Sequence, residues 1–266
     1  MPATVPTCPS HLDRAAFASF YRDQGYAIAR GVVHGRQLAD LTRDFDRAVT
    51  QLREHDTWNA RWAGPGTDKL DGGEATVIIH THQIQSWSAA WGRFCYDETF
   101  LDVIESLIGE DVILHHSKLF EKPPGIGAPF PPHQDWSYFP CTGAAMHAAV
   151  VFLTPSDEHN GCIRVWPGSH RHGRIARELS KRGDGDFDQR FPMSESIPCI
   201  ATAGDVVIFS DTTVHASLPN RGADPRKSVL FQVHSGRDEM EDGHGHPYAQ
   251  LVLRGWNHRM RREKAR

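Results

Sequence analysis

From about residue 111 onward the chain is a succession of short apolar runs, each closed by proline, glycine or another turn residue. DVILHHSKLFEKPP, MHAAVVFLTP, GCIRVWPG, SIPCIATAG, DVVIFSD and RKSVLFQVHSG each predict a strand. Parallel sheets need helices between their strands, and most of these runs have none between them. The texture therefore restricts the fold to a sandwich or barrel. One stretch interrupts it: SHRHGRIARELSKRGDGDFDQR predicts a surface insertion with a short helix.

Residues 1–110 read as mainly helical. Leu38, Leu41, Phe45, Val49 and Leu52 recur every three or four places and predict an amphipathic helix. Trp87, Trp91, Phe94, Phe100, Val103, Ile104 and Leu107 predict a second helical region that stops at Gly109. Between them GPGTDKLDGGE reads as a loop and ATVIIHTHQIQ as a strand. The basic tail RGWNHRMRREKAR reads as a solvated helix. The expected organisation is one domain over 1–266, with an extension from 237 to the end.

Composition excludes several classes. The net charge of -4 gives nucleic acid or an anionic membrane no long-range electrostatic grip. No apolar run approaches the ~20 residues that span a bilayer, and MPATVPTCPSHLDR lacks the pattern of a secretory signal. Cys8, Cys95, Cys141, Cys162 and Cys199 are odd in number and contain no CxxC. That argues against a disulfide framework or a thiolate zinc site and points to a reducing cytoplasm.

The chemistry concentrates in HQDWSYFP, beginning at His133. On a strand, residues i and i+2 project from one face, so His133 and Asp135 can reach one point. An imidazole and a carboxylate supply two of the three ligands of the facial triad of non-haem Fe(II) oxygenases, and His215 is the expected third. Eleven residues on, Arg226 opens a strand where its guanidinium can grip a carboxylate through paired hydrogen bonds; Arg221 is its rival. Ser228 shares the strand face of Arg226, and Ser217 that of His215. Such a set suits 2-oxoglutarate, which chelates iron through its ketone and one carboxylate and yields succinate and CO2 when it reacts with O2. Halogenases built this way carry a small residue at the carboxylate position, so Asp135 favours hydroxylation or another oxidation.

Four motifs in order resemble the phytanoyl-CoA dioxygenase family of iron and 2-oxoglutarate oxygenases, over roughly residues 90–236. They are EKPPGIGAPFPPHQD, HQDWSYFP, NGCIRVWPGSHRHG and HASLPNRGADPR. The resemblance implies an all-β core with flanking helices: a double-stranded β-helix (jelly roll, cupin-like) over 111–236 with an amino-terminal helical extension. It implies Fe(II), 2-oxoglutarate and O2 as cofactor and cosubstrates, with His133, Asp135 and His215 as ligands and Arg226 and Ser217 on 2-oxoglutarate. Trp166 stands where the family often has an aliphatic residue and is expected to wall the cosubstrate pocket. The family's peroxisomal targeting sequence is absent, so an acyl-CoA substrate does not follow.

Further candidates are placed by alternation. His116 and Lys118 share a strand face suited to an acidic cosubstrate or substrate. His80 and His82 occupy one face of their strand, with Gln83 and Gln85 on the other, and either face can border the substrate entrance. Trp136 and Tyr138, alternating after the ligand strand, are expected to form an apolar substrate wall. The basic insertion (Arg171, His172, Arg174, Arg177, Lys181, Arg182) reads as a solvated flexible loop, with contact to a phosphate-bearing substrate as the alternative, and His244 and His246 read as incidental. The expected activity is hydroxylation of a small organic molecule. The alternatives are desaturation, epimerisation or ring formation with the same cofactors, or a cupin-like binding protein without turnover.

Overall fold

In the computed structural model, which describes residues 7–55, 76–143, 146–175, 185–241 and 249–260, the amino-terminal helical pattern becomes helices α1 (Arg14–Gln24) and α2 (Gly35–Glu54). A short strand, β1 (Tyr26–Ala29), separates them. Asp13 caps α1 by accepting from Ala16 N, and Gly25 ends it at φ 79°, donating to Tyr21 O. Helix α2 buries Leu41, Phe45, Ala48, Val49 and Leu52 along one stripe.

Strand β2 (Ile79–His82) comes next, followed by α3 (Ala89–Phe94) and α4 (Glu98–Ile108). The single helical region expected at 87–108 is therefore two helices. Asp97 divides them, its carboxylate accepting from Phe100 N at 2.9 Å to start a new helix. The remaining strands are β3 (Val112–Lys122), β4 (Phe130–His133), β5 (Met146–Phe152) and β6 (Ile163–Val165). After the short helix α5 (Gly185–Arg190) come β7 (Ile197–Pro198), β8 (Val206–Ser210), β9 (His215–Ser217), β10 (Arg226–Ser235) and β11 (Leu251–Arg254). All six strand-like runs read from the sequence contribute a strand.

The strands form two antiparallel sheets in a jelly roll. The larger has the order β1-β8-β5-β10-β3-β11, with β2 also on β3, and the smaller has the order β4-β9-β6-β7. Alternation assigns the two faces of the large sheet. Ala149, Val151, Val229, Phe231 and Val233 meet Phe45, Trp91, Phe94 and Phe100 of the helices. Ala148, Val150, Phe152, Val207 and Phe209 meet Ile163 and Val165 of the small sheet. The space between the sheets holds the site.

Two strands were not legible in advance. All four residues of β1 are buried, so it shows no alternation. Strand β11 lies in the expected carboxy-terminal extension but pairs with β3. Its Arg254 is held by Glu98, Asp102 and Glu105 of α4. The expected terminal helix is not found over 255–260, where Gly255 turns the chain at φ 69°. No helix among the described residues is long and apolar enough to cross a membrane.

One contact ties α1 to the large sheet: Tyr21 Oη and His147 Nδ1 share a hydrogen bond of 2.5 Å. Burial, with His234 nearby, lowers the His147 pKa to about 4. The folded value lies below the unfolded value of ~6.5, so this stability is present above pH ~6.5 and lost as pH falls towards 4. Denaturant unfolding at pH 7 and pH 4.5 should differ by on the order of 2 kcal/mol from this group, a difference that His147→Gln removes.

Candidate metal centre

Strand β4 ends on His133 and β9 begins on His215, and the two residues are register partners. Their rings lie 4.2 Å apart. His133 Nδ1 lies 2.8 Å from Pro131 O and His215 Nδ1 lies 3.1 Å from Thr213 O. A ring nitrogen beside a carbonyl oxygen carries the proton, so in each neutral ring Nε2 carries the lone pair. Both Nε2 atoms converge on Asp135 Oδ1, at 3.7 and 3.6 Å. The three buried donors lie within 4.8 Å of one another, close enough to hold one metal ion.

Asp135 is not on the strand. It opens a single 3-10 turn, Asp135–Ser137, and only the extended backbone of Gln134 keeps its carboxylate on the face of His133. Gln232 of β10 donates to Asp135 Oδ2 at 3.0 Å, which leaves Oδ1 turned to the imidazoles. Gln134 points the other way. It donates to Thr212 O and Gly173 O and accepts from Trp136 Nε1 and Ile175 N, pinning the stem of the insertion behind the site. Sequence reasoning missed both glutamines, because one is partnered only across sheets and the other faces away.

Next to these donors a cavity of about 90 Å³ is lined by Phe120, Phe130, Val150, Phe209, Ser217, Arg226, Ser228 and Leu230, among others. Arg226 is buried whereas its rival Arg221 is exposed. Its guanidinium donates to Gly161 O and lies 5.9 Å from the Phe152 ring centroid; among the described residues it has no carboxylate partner, and its Nε is unsatisfied. Burial lowers its pKa to about 10. A buried cation without an anion calls for an acidic ligand, and the donor set beside it suits iron(II), so the residues present fit both groups. Gly161, at φ 74°, brings its carbonyl to Arg226 because it has no side chain; a Cβ there would collide with the carbonyls of Leu218 and Pro219.

A second cation reaches a residue of the cavity wall, Ser217. Lys122 faces Arg226 in register and donates to Ser217 Oγ at 2.6 Å and Leu218 O at 2.7 Å. Lys118, the lysine expected beside the cosubstrate, lies four residues away on the same face over the Phe120 ring and opposite Leu230, both of which line the cavity. Alternation alone gives positions 118 and 122 the same face; register sets Lys122 opposite Arg226 and Lys118 opposite Leu230.

The structure departs from three expectations. Trp166 follows Val165 and so takes the opposite face, packing with Ile175, Phe187 and Phe191 and donating to Pro192 O rather than walling the cavity. Gln83 leaves the strand at φ 59° and pairs with Gln85, which accepts from Ser117 on the far face of β3. Trp136 and Tyr138 follow the 3-10 turn instead of alternating along a strand. The Trp136 indole is committed to Gln134, and Tyr138 meets the His133 ring edge-on at 6.3 Å. His82 and His116 do come together, with ring centroids 5.7 Å apart. Arg174 stacks over Trp136 and pairs with Glu241. Arg177, Lys181, Arg182, His244 and His246, the GPGTDKLDGGE loop and residues 176–184 of the insertion lie outside the described residues.

Comparison with known proteins follows the same line. The family model for phytanoyl-CoA dioxygenase (PhyH) matches residues 21–228. A probable alpha-ketoglutarate-dependent hypophosphite dioxygenase of Stutzerimonas stutzeri is 24% identical over 225 residues, covering 79% of this chain and 75% of that protein. The peroxisomal phytanoyl-CoA dioxygenase of Mus musculus is 28% identical over 223 residues, again 79% of this chain but 65% of the relative, so the chain spans less than two thirds of that enzyme's length. Among solved structures, the epimerase SnoN in complex with Fe3+, alpha ketoglutarate and nogalamycin RO superposes with a TM-score of 0.69 at 20% identity, over 93% of this chain and 98% of that one. The apo non-heme monooxygenase ThoJ gives 0.71 at 19%, over 90% and 83%. At such identities the structural likeness speaks for the fold alone. The family match, which extends over most of the chain, places this protein in the phytanoyl-CoA dioxygenase family of iron- and 2-oxoglutarate-dependent oxygenases.

Proposed function

We propose that this protein hydroxylates a small organic molecule, with His133, Asp135 and His215 holding iron(II) and Arg226 holding the far carboxylate of 2-oxoglutarate. The observation that carries this reading is the juxtaposition of a complete buried imidazole–carboxylate set with a buried guanidinium that has no acid partner among the described residues. When bound, iron(II) and 2-oxoglutarate supply O2 activation coupled to oxidative decarboxylation, giving succinate and CO2.

The chain's own residues do the positioning. The carbonyls of Pro131 and Thr213 fix the imidazole tautomers, and Gln232 fixes the Asp135 carboxylate. Arg226, kept aimed by Gly161, receives the cosubstrate's distal carboxylate, with Lys122 and Ser217 as the adjoining polar wall. Val150, Ile163, Phe209 and Leu230 line the cavity with apolar surface that keeps bulk water from the reacting groups. Asp135 occupies the position that a halide needs vacant, which favours oxygen insertion over halogenation.

The test is succinate release over a substrate panel under 18O2. Label in the product supports hydroxylation, whereas turnover without label in the product points to desaturation, epimerisation or ring formation. Absence of any substrate-stimulated succinate, with 2-oxoglutarate bound, points to a binding protein. Gly161→Ala, which leaves every candidate ligand in place, should weaken 2-oxoglutarate binding about tenfold or more by titration calorimetry, because the Arg226 cradle must shift.

A further inference from the structure

We infer that Ser169 is a positioning residue for the metal centre: its hydroxyl fixes the peptide unit whose carbonyl orients the imidazole of His215. The inference rests on the oxygenase reading above. It gives a task to the PGSH stretch that follows β6, which the site itself does not use.

The His215 ring takes its orientation from Thr213 O, 3.1 Å from Nδ1. Thr213 lies between β8 and β9, outside both strands, so no strand ladder sets the angle of its carbonyl. A peptide unit is planar and rigid, so the carbonyl of Thr213 and the N–H of Val214 turn together. Ser169 Oγ accepts from that N–H at 2.9 Å, in a buried contact. One hydroxyl therefore holds a plane whose opposite edge orients a ligand. Linked hydrogen bonds also polarise one another, so donation at Val214 N strengthens Thr213 O as the acceptor for His215 Nδ1–H. The outcome is a bare Nε2 turned to Asp135 Oδ1. The preceding carbonyl, Thr212 O, is held by Gln134, which stands between the other two ligands.

Ser169 can fix this plane because it is itself fixed. Gly168, at φ 76°, turns the chain after β6, and Ser169 N donates to Trp166 O at 3.0 Å, which returns the hydroxyl to β9, the partner of β6. The end of α1 then grips the motif. Gly168 N donates to Gln24 O at 2.8 Å, Arg171 donates to Asp23 O at 2.6 Å, and His170 Nε2 lies 2.9 Å from Arg22 O. Three successive carbonyls that the last turn of a helix leaves open are satisfied in this way. Thr213 is held from the same end, its Oγ1 donating to Gly25 O at 2.6 Å. A Cβ on Gly25 would strike both the His170 ring and the Thr213 hydroxyl, so the three elements meet at closest approach there. A serine that merely satisfied one buried amide would cost stability on removal and leave the imidazole unchanged.

The test reads the ring before any metal is added. In metal-free protein at about pH 8, where an ordinary histidine is neutral, 15N chemical shifts report which ring nitrogen carries the proton. His215 is expected as the Nδ1–H tautomer in the native chain, with the Nε2–H tautomer appearing in Ser169→Ala. Co(II) affinity by titration calorimetry should fall about tenfold or more in the same variant, as it does when a partner that orients a ligating imidazole is lost. Arg171→Met removes an exposed contact of the same motif and keeps the Ser169 hydroxyl, so both readouts should stay as in the native chain. Ser169→Cys keeps the side chain's size but accepts weakly, and it takes the place of the alanine variant if that chain does not fold. A native His215 ring protonated at Nε2, either readout unchanged on loss of the hydroxyl, or an equal loss in Arg171→Met overturns the proposal. A native chain that shows the expected tautomer but binds no Co(II) counts instead against the oxygenase reading.

Discussion

Replacing His215 by alanine is expected to abolish the visible charge-transfer band that anaerobic Fe(II) and 2-oxoglutarate produce with the native chain. Succinate release should fall by more than the ~100-fold that loss of a supporting partner causes elsewhere, because a ligand and not its support is removed. The geometry explains why one imidazole decides the outcome. His133 and His215 face each other across paired strands, and Asp135 Oδ1 stands 3.6–3.7 Å from both. The remaining pair cannot enclose an ion from three sides. Gln232→Leu separates support from ligation: it frees Asp135 Oδ2 but leaves all three donors, so it should weaken the band without eliminating it. A His215→Ala protein that still forms the full band would remove the basis of the assignment.

Arg226→Met is expected to produce two effects of opposite sign. Without cosubstrate, the native protein carries a buried guanidinium with no acid beside it among the described residues, and burial has already drawn its pKa down to about 10. Replacing it with an apolar side chain of comparable length removes that desolvation cost, so the thermal midpoint of the cosubstrate-free protein should stay level or rise. The stabilisation by 2-oxoglutarate should disappear at the same time. At a concentration 100-fold above Kd this stabilisation amounts to about 2.7 kcal/mol in the native chain, which thermal scans with and without the dicarboxylate resolve readily. Arg226→Lys keeps a positive charge but loses the planar fork, and its KM for 2-oxoglutarate should still rise about tenfold or more. If Arg226→Met lowers the midpoint and leaves the shift with 2-oxoglutarate intact, the guanidinium serves packing and the cosubstrate is held elsewhere.

Much of this protein was legible in its sequence, and for definable reasons. Strand-period runs closed by turn residues required an antiparallel β fold, because side-chain direction alternates with period two whatever the strand packs against. His133 and Asp135 were readable as a pair because one extended residue separates them, and His215 and Arg226 because they follow in the order of the family's motifs. Tertiary structure decided whatever depended on register. Lys118 and Lys122 share a strand face, and only register sets Lys122 opposite Arg226 and Lys118 opposite Leu230. Gln232 supports Asp135 from a strand 97 residues further along the chain, a contact that no local pattern encodes. Trp166 is one step beyond Val165, and that single step turns the indole away from the site. Periodicity carries which face a residue takes; how strands slide past one another is set by packing between distant segments, and that is where the choice among chemically equivalent candidates was made.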